Sequence, residues 1–213
     1  TLHVAVDTGI VDNDSKWRQA VGEITPDYQD VLFPKGFMGV KSEADEHLAS
    51  LDTAKSDDLD KITFYRSVIL ACEAIMTFAG KYAAKARELA ASEKDADRKA
   101  ELLEIAAVCD HVPANGPRSF HEAVQFVWFT QLGGVLSENP LALNLGRFDQ
   151  YMYPYYAADI EKGAITEERA QELVEALWLK LSEWVWTISS NTAGFFAGYN
   201  QFHSGTPSLD NRR

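Results

Sequence analysis

The stretch that follows Ser119 leaves a folded chain little choice. Val124, Phe126, Val127, Trp128, Phe129 and Leu132 cover every side of a helix, so no face is left for water. Such a helix must be enclosed, and the rest of the chain has to supply layers on more than one side of it. Ser119 and Glu122, three residues apart, read as a capping box that opens it. His121, in the first turn, reads as a histidine satisfied within the fold rather than a ligand. Gly133-Gly134 is expected to loosen the helix end.

Helical patterns lie on both sides. Thr25-Pro26-Asp27 starts one, with Tyr28, Val31, Leu32, Phe37 and Val40 at helical intervals, and Pro34 and Gly36 predict a break in it. Residues 41–60 are mostly polar, a solvated helix face plus a loop. Glu43, Glu46 and His47 lack the paired Glu-x-x-His spacing of carboxylate-bridged metal bundles, so no metal site is expected. Asp57 or Asp58 is expected to cap a long helix to about Ala91, with Ile62, Tyr65, Ile69, Cys72, Met76, Ala79, Ala83 and Ala86 as its apolar stripe. A second helix restarts at Ser92 through Ala96, Ala100, Leu103 and Ala107, and residues 112–117 end it. Thr166 is an N-cap, with Glu167 and Glu168 at the positive end of the helix dipole. Ala170, Leu173, Val174, Leu177, Leu181, Trp184 and Val185 follow as the stripe, widened by Trp178 and Trp186. Residues 1–24 read as a loop or lead-in.

Between the helices, residues 141–156 change character. Leu141 to Leu145 alternate Leu, Ala, Leu, Asn, Leu, the period of a short strand with one buried face. Asn139-Pro140 breaks what precedes and Gly146 permits a sharp turn after it. Arg147, Asp149 and Gln150 then sit beside four tyrosines. The plain reading is a strand, a turn and a helix start with core aromatics; Arg147 and Asp149 would hold the rim by an ion pair or a helix cap. Residues 189–202, two glycines among aromatics and amides, suggest backbone passing close to a ligand or another segment.

Charge narrows the classes of function. The net charge is −12 and the pI about 4.8, which excludes a groove that neutralises phosphates. No uninterrupted run of the roughly 18 apolar residues that span a bilayer is present, and residues 1–7 lack the pattern of a signal peptide. No nucleic acid and no membrane are therefore expected as partners. Cys72 and Cys109 are too few for a disulfide framework and fall in helical patterns, so buried thiols in a cytoplasmic protein are expected.

Three blocks carry a resemblance. Pro113-Ala114-Asn115-Gly116-Pro117-Arg118-Ser119-Phe120-His121-Glu122-Ala123-Val124-Gln125 resembles the PA-x-x-PR-T/S-F-x-EA-x-Q signature of the glycyl radical enzymes, in their pyruvate formate-lyase domain. Gly146-Arg147-Phe148-Asp149-Gln150-Tyr151-Met152-Tyr153-Pro154 is similar to the family's GR-x-DQY-x-YP. Residues 191–202 resemble a third block, in the family's order. The resemblance covers roughly residues 25–202, as a partial domain preceded by a lead-in of residues 1–24 and followed by a tail of residues 203–213 outside the family pattern.

The resemblance implies a mainly α chain with a few β-strands, the N-terminal or middle fragment of the family's ten-stranded α/β barrel. It implies an enzyme in which a backbone glycyl radical, installed by a separate radical-SAM activating enzyme, passes its spin to a cysteine that cleaves a small-molecule substrate. Formate acetyltransferase, diol dehydratases, choline and isethionate lyases and arylacetate decarboxylases are members, and a homodimer is open. This chain departs from the pattern at the radical itself. Neither cysteine lies in a Cys-x-Glu loop, and no RV-x-G-Y/F glycyl loop is present. Nor does residue 202 run into a QNL-x-V/L-GG strand, so a frameshift or premature stop is expected in the coding sequence. The chain is thus expected to carry no catalytic residue, metal ligand or bound cofactor, and to be inactive alone. By alignment Leu141, Ala142 and Tyr199 are the substrate-pocket candidates. Leu141 and Ala142 replace a polar His-Ser pair of the glycerol dehydratase branch, which disfavours a small polyol. The alternative is a non-catalytic helical module that associates with another chain.

Overall fold

The computed structural model describes residues 23–138 and 142–183. The first strand, β1 (Glu23–Ile24), leads into a π-helical turn at Tyr28–Leu32, where Asp27 Oδ1 accepts from the Asp30 N–H at 2.9 Å. Helix α1 (Phe33–Ala49) continues from it and is broken at Gly36, whose φ of 64° lies outside any helix, as Pro34 and Gly36 predicted. Helix α2 (Ser56–Ser92) is the longest element. Neither Asp57 nor Asp58 caps it. Asp58 Oδ2 instead accepts from the Asp52 N–H at 3.2 Å and closes the preceding loop.

Alanines decide how α2 packs. Ala79, Ala83, Ala86 and Ala90 are buried, and such small side chains let the backbone of α3 (Ala96–His111) come close. Asp95 starts α3, its side chain accepting from the N–H groups of Asp97 and Arg98. The expected stripe on α3 is on the wrong side. Leu102, Ala106 and Cys109 are buried, whereas Ala100 and Ala107 are exposed and Leu103 is 48% exposed.

Helix α4 (Phe120–Glu138) is enclosed, as its composition required. Phe129 joins Ala79, Ala83 and Cys109 from α2 and α3. On its other side Phe126 and Val127 pack with Tyr28, Phe33, Tyr151, Met152, Ala170 and Leu177. The helix does not loosen at Gly133-Gly134. A Cβ on Gly133 would sit 2.5 Å from Ile75 Cδ1, and one on Gly134 would sit 2.9 Å from Leu143 Cδ2. These glycines admit neighbours instead.

Strand β2 (Ala142–Leu143) pairs in parallel with β1, Glu23 opposite Ala142 and Ile24 opposite Leu143, and the Asn144 N–H donates to Ile24 O at 2.8 Å. The lead-in segment thus ends in a strand rather than a loop. Helix α5 (Phe148–Glu161) and helix α6 (Glu167–Ser182) complete the described residues, α6 capped by Thr166 as expected, with Ala170 and Leu177 buried. The expected fragment of a ten-stranded α/β barrel is overturned. Extended structure among the described residues is confined to one pair of two-residue strands, and helices account for most of the rest.

By length and composition α2 also meets the criterion for crossing a membrane, its most apolar 18-residue window having a mean hydropathy of 1.4. Charged residues such as Arg66 and Glu73 hide this from a search for uninterrupted apolar runs. Only 22% of that window is buried, although the opposite face of α2 packs on α1, α3 and α4.

Candidate functional site

The block 113–125 joins three helices. The Phe37 N–H donates to Pro113 O at 3.0 Å and the Met38 N–H to Ala114 O at 2.9 Å, just past the break at Gly36. Gly36 and Gly116 face the opposite backbone so closely that a Cβ on either would overlap it, on Ala114 O and on Phe33 O respectively. The two glycines therefore interlock the start of α1 with the loop that precedes α4.

Glu122 is the buried charge of this junction, at 5% exposure. Its N–H donates to Ser119 Oγ at 3.2 Å, one half of the expected capping box. The other half differs, because the Glu122 carboxylate accepts from the Arg118 N–H at 2.7 Å and from the Arg118 guanidinium at 2.5 Å. Burial pushes the Glu122 carboxyl up. The Arg118 guanidinium and N–H, with His111, pull it down further, so it is held below the ordinary glutamate value of 4.5. A carboxyl depressed in the folded state stabilises the fold above its unfolded pKa, and this stabilisation is lost as pH falls through the folded value. Glu122→Gln is therefore expected to flatten the acid limb of stability below 4.5, measured by urea unfolding of both proteins from neutral to acid pH. An unchanged acid limb would show that the ion pair does not persist in solution.

The first N–H of α4 is satisfied from a distance. The Phe120 N–H donates to Oδ2 of Asp159, a buried residue of α5, at 2.7 Å. Asp159→Ala is expected to cost about 1–3 kcal/mol by leaving that N–H unpaired. Asp159→Asn, which keeps an acceptor, should cost less, with urea denaturation as the measure. Nothing near position 159 in the sequence signals this cap. His121 is satisfied as expected, Nδ1 lying 2.7 Å from Glu104 Oε1.

The block 146–154 turns at Gly146, with φ of 66°, and opens α5. Arg147 takes the N-cap position through its backbone alone, and no ion pair joins it to Asp149. Tyr151 donates from Oη to Leu145 O at 2.8 Å and stacks on Tyr28 with ring centroids 4.9 Å apart. Burial raises the pKa of both phenols, so both stay protonated. Wholly buried Gln131 donates from Nε2 to Tyr28 Oη at 3.1 Å, tying α4 to the turn after β1; its Oε1 has no partner among the described residues. Gln131 is a lone amide in an apolar run, and nothing local in the sequence marks it.

Of the pocket candidates, Ala142 lies in β2 opposite Glu23, which places this position beside the end of α4. Leu141, Tyr199 and the block 191–202 lie outside the described residues, as does the tail 203–213. Both cysteines are buried thiols as expected, Cys72 at 3% and Cys109 at 4% exposure. Burial pushes the Cys109 thiol up to about 11, and burial followed by Glu73 raises Cys72 against the opposing charge of Lys41. Both are packed between helices as small hydrophobes. A surface groove between the start of α1 and α5 is lined by Gln29, Phe33, Pro34, Gln150, Tyr151, Pro154 and Tyr155, and holds neither carboxylate, histidine nor thiol.

Residues 2–206 match the family model described as pyruvate formate lyase-like. The chain belongs to this family, that of the glycyl radical enzymes. The isethionate sulfite-lyase of Oleidesulfovibrio alaskensis is 39% identical over 200 residues, covering 92% of this chain and 24% of that protein. The trans-4-hydroxy-L-proline dehydratase of Clostridioides difficile is 37% identical over 155 residues, covering 72% and 20% respectively. Among solved structures, the glycerol-bound B12-independent glycerol dehydratase of Clostridium butyricum superposes with a TM-score of 0.76 at 39% identity, over 84% of this chain and 22% of that one. This family member thus spans about a quarter of the length of the curated relatives it matches. The Gly116 side of the interlock, the Arg118–Glu122 pair and the turn at Gly146 are what its family blocks build.

Proposed function

We propose that this chain is a part of a glycyl radical lyase or dehydratase that shapes one side of the substrate cavity and carries none of the radical residues. The observation that supports this reading best is the burial of both cysteines between helices, in a chain that otherwise matches such enzymes along most of its length. A cysteine that abstracts hydrogen has to meet substrate, and no other thiol is present in the sequence. The group that initiates the chemistry in the family is a glycyl radical, which supplies an unpaired electron once a radical-SAM activating enzyme has formed it. This chain would contribute packing, exclusion of water and the apolar contacts of Leu141 and Ala142, with Tyr199 as a polar one.

The relatives are named as lyases, dehydratases and decarboxylases, which favours elimination from a small molecule over acyl transfer. Apolar residues at positions 141 and 142 favour a substrate less hydroxylated than glycerol. The test is to incubate the purified chain anaerobically with a glycyl radical activating enzyme and S-adenosylmethionine, then record its electron paramagnetic resonance spectrum. No glycyl doublet and no turnover of isethionate, 1,2-propanediol or hydroxyproline are expected. A doublet, or turnover of any of the three, would overturn the reading.

A further inference from the structure

Asn144 is a polar residue in an apolar alternation. Asparagine is depleted from strands, yet here it follows β2 directly, and its N–H continues the pairing to Ile24. Side chains alternate between the two faces of such extended backbone. Leu143 fills the space over Gly134 of α4, and Leu145 packs against the core cluster that contains Phe126 and Val127 of the same helix. Asn144, between them, therefore projects from the opposite face, away from α4. Position 142, the pocket candidate in β2, has the same parity as Asn144.

The backbone that carries this amide is fixed from several sides. The Asn144 N–H donates to Ile24 O at 2.8 Å, and Nε2 of wholly buried Gln131 donates to Asn144 O at 3.5 Å. Oη of Tyr151, a second buried side chain, donates to Leu145 O at 2.8 Å. Two buried polar side chains, from α4 and α5, thus hold the carbonyls of consecutive residues. The Asn144 side chain itself is half-buried and has no hydrogen-bond partner among the described residues. A locked backbone beneath an uncommitted amide is the arrangement that presents a hydrogen bond to a bound molecule. The amide offers two N–H donors with no charge to desolvate.

We propose that Asn144 is a further substrate-contacting residue, whose Nδ2 donates a hydrogen bond to an oxygen of the substrate. The inference rests on the reading of this chain as one side of a lyase cavity. It adds to the apolar positions 141 and 142 a contact that selects an oxygen-bearing group, whether sulfonate, carboxylate or hydroxyl.

The test uses a whole enzyme, the Oleidesulfovibrio alaskensis isethionate sulfite-lyase carrying this chain in place of its 200 matching residues, activated anaerobically by its own activating enzyme. Asn144→Ala in this hybrid should raise KM for isethionate about tenfold, with kcat and the yield of glycyl radical little changed. Asn144→Asp removes both donors and adds a negative charge, and should raise KM further. Asn144→Ser, which keeps an O–H donor, should recover part of the loss. In the isolated chain Asn144→Ala should leave the urea midpoint unchanged, because the side chain bonds to nothing in the fold.

An unchanged KM in the alanine variant of an active hybrid would overturn the inference and leave the cavity reading standing. A fall in radical yield or in the urea midpoint at unchanged KM would also overturn it, by showing that the amide serves the fold or the remainder of the enzyme instead of substrate. An unsubstituted hybrid that forms the radical and releases no sulfite would overturn the cavity reading itself, and the inference with it.

Discussion

Gly36→Ala is expected to lower the melting temperature by roughly 10 °C, from a loss on the order of 4 kcal/mol. Two effects combine there. The backbone at φ 64° and ψ 179° lies in a region that is essentially restricted to glycine. The new methyl would also point into the 113–116 loop, 2.6 Å from the Cα of Asn115 and closer still to Ala114 O. Relief requires α1 and the loop to separate, and that breaks the hydrogen bonds from Phe37 and Met38. Gly163→Ala separates the two effects, because Gly163 also has a φ of 64° but a Cβ there meets nothing within 4 Å. Its loss should be nearer 1 kcal/mol, the cost of left-handed backbone alone. Thermal melts of the two variants that fall together would show that the interlock contributes little.

Phe126→Ala should cost about 3–5 kcal/mol, the usual range for removing a fully buried phenyl ring. The ring is 0% exposed and lies between Phe33, edge-on at a centroid distance of 5.4 Å, and Phe37, stacked at 5.7 Å. Those neighbours belong to the segments on either side of the break at Gly36, so collapse around the cavity is hindered by the same interlock. Phe64→Ala, at a ring 62% exposed on α2, should change stability by less than about 1 kcal/mol. Urea denaturation of both variants provides the comparison. Similar losses would mean that α4 is not the centre of the packing.

What was legible in the sequence follows from how local its cause is. The apolar circumference of α4 forces enclosure whatever surrounds it, and Pro34 with Gly36 breaks a helix by its own backbone chemistry. Thr166 caps α6 because its acceptor and the Arg169 N–H are three residues apart. The face of α3 was misread because alanines lie on both sides of it, and α2, which selects Ala106 over Ala100 and Ala107, is a separate element. Gly133-Gly134 resembles a helix end locally, and only Ile75 and Leu143 reveal it as a contact. The Asp159 cap and the Glu23–Ala142 pairing join positions far apart in the chain, which no local pattern reports.

The same division holds at the candidate site. Ser119 and Glu122 marked the start of α4, yet the carboxylate went to Arg118, a choice set by burial and charge rather than by spacing. The family blocks showed which enzymes the chain resembles. Their physical work, closing glycine against backbone and satisfying buried charge, became visible only in three dimensions.

The most direct test of the catalytic reading is a graft. The 200 matching residues of the Oleidesulfovibrio alaskensis isethionate sulfite-lyase would be replaced by their counterparts from this chain. The hybrid would then be treated with the lyase's own activating enzyme, and both the glycyl radical signal and sulfite release would be measured. The radical and sulfite release are both expected, because the grafted part supplies shape and packing while the radical residues stay with the host. A hybrid that forms the radical in full yield yet releases no sulfite would contradict the assignment of this chain to the cavity of a lyase.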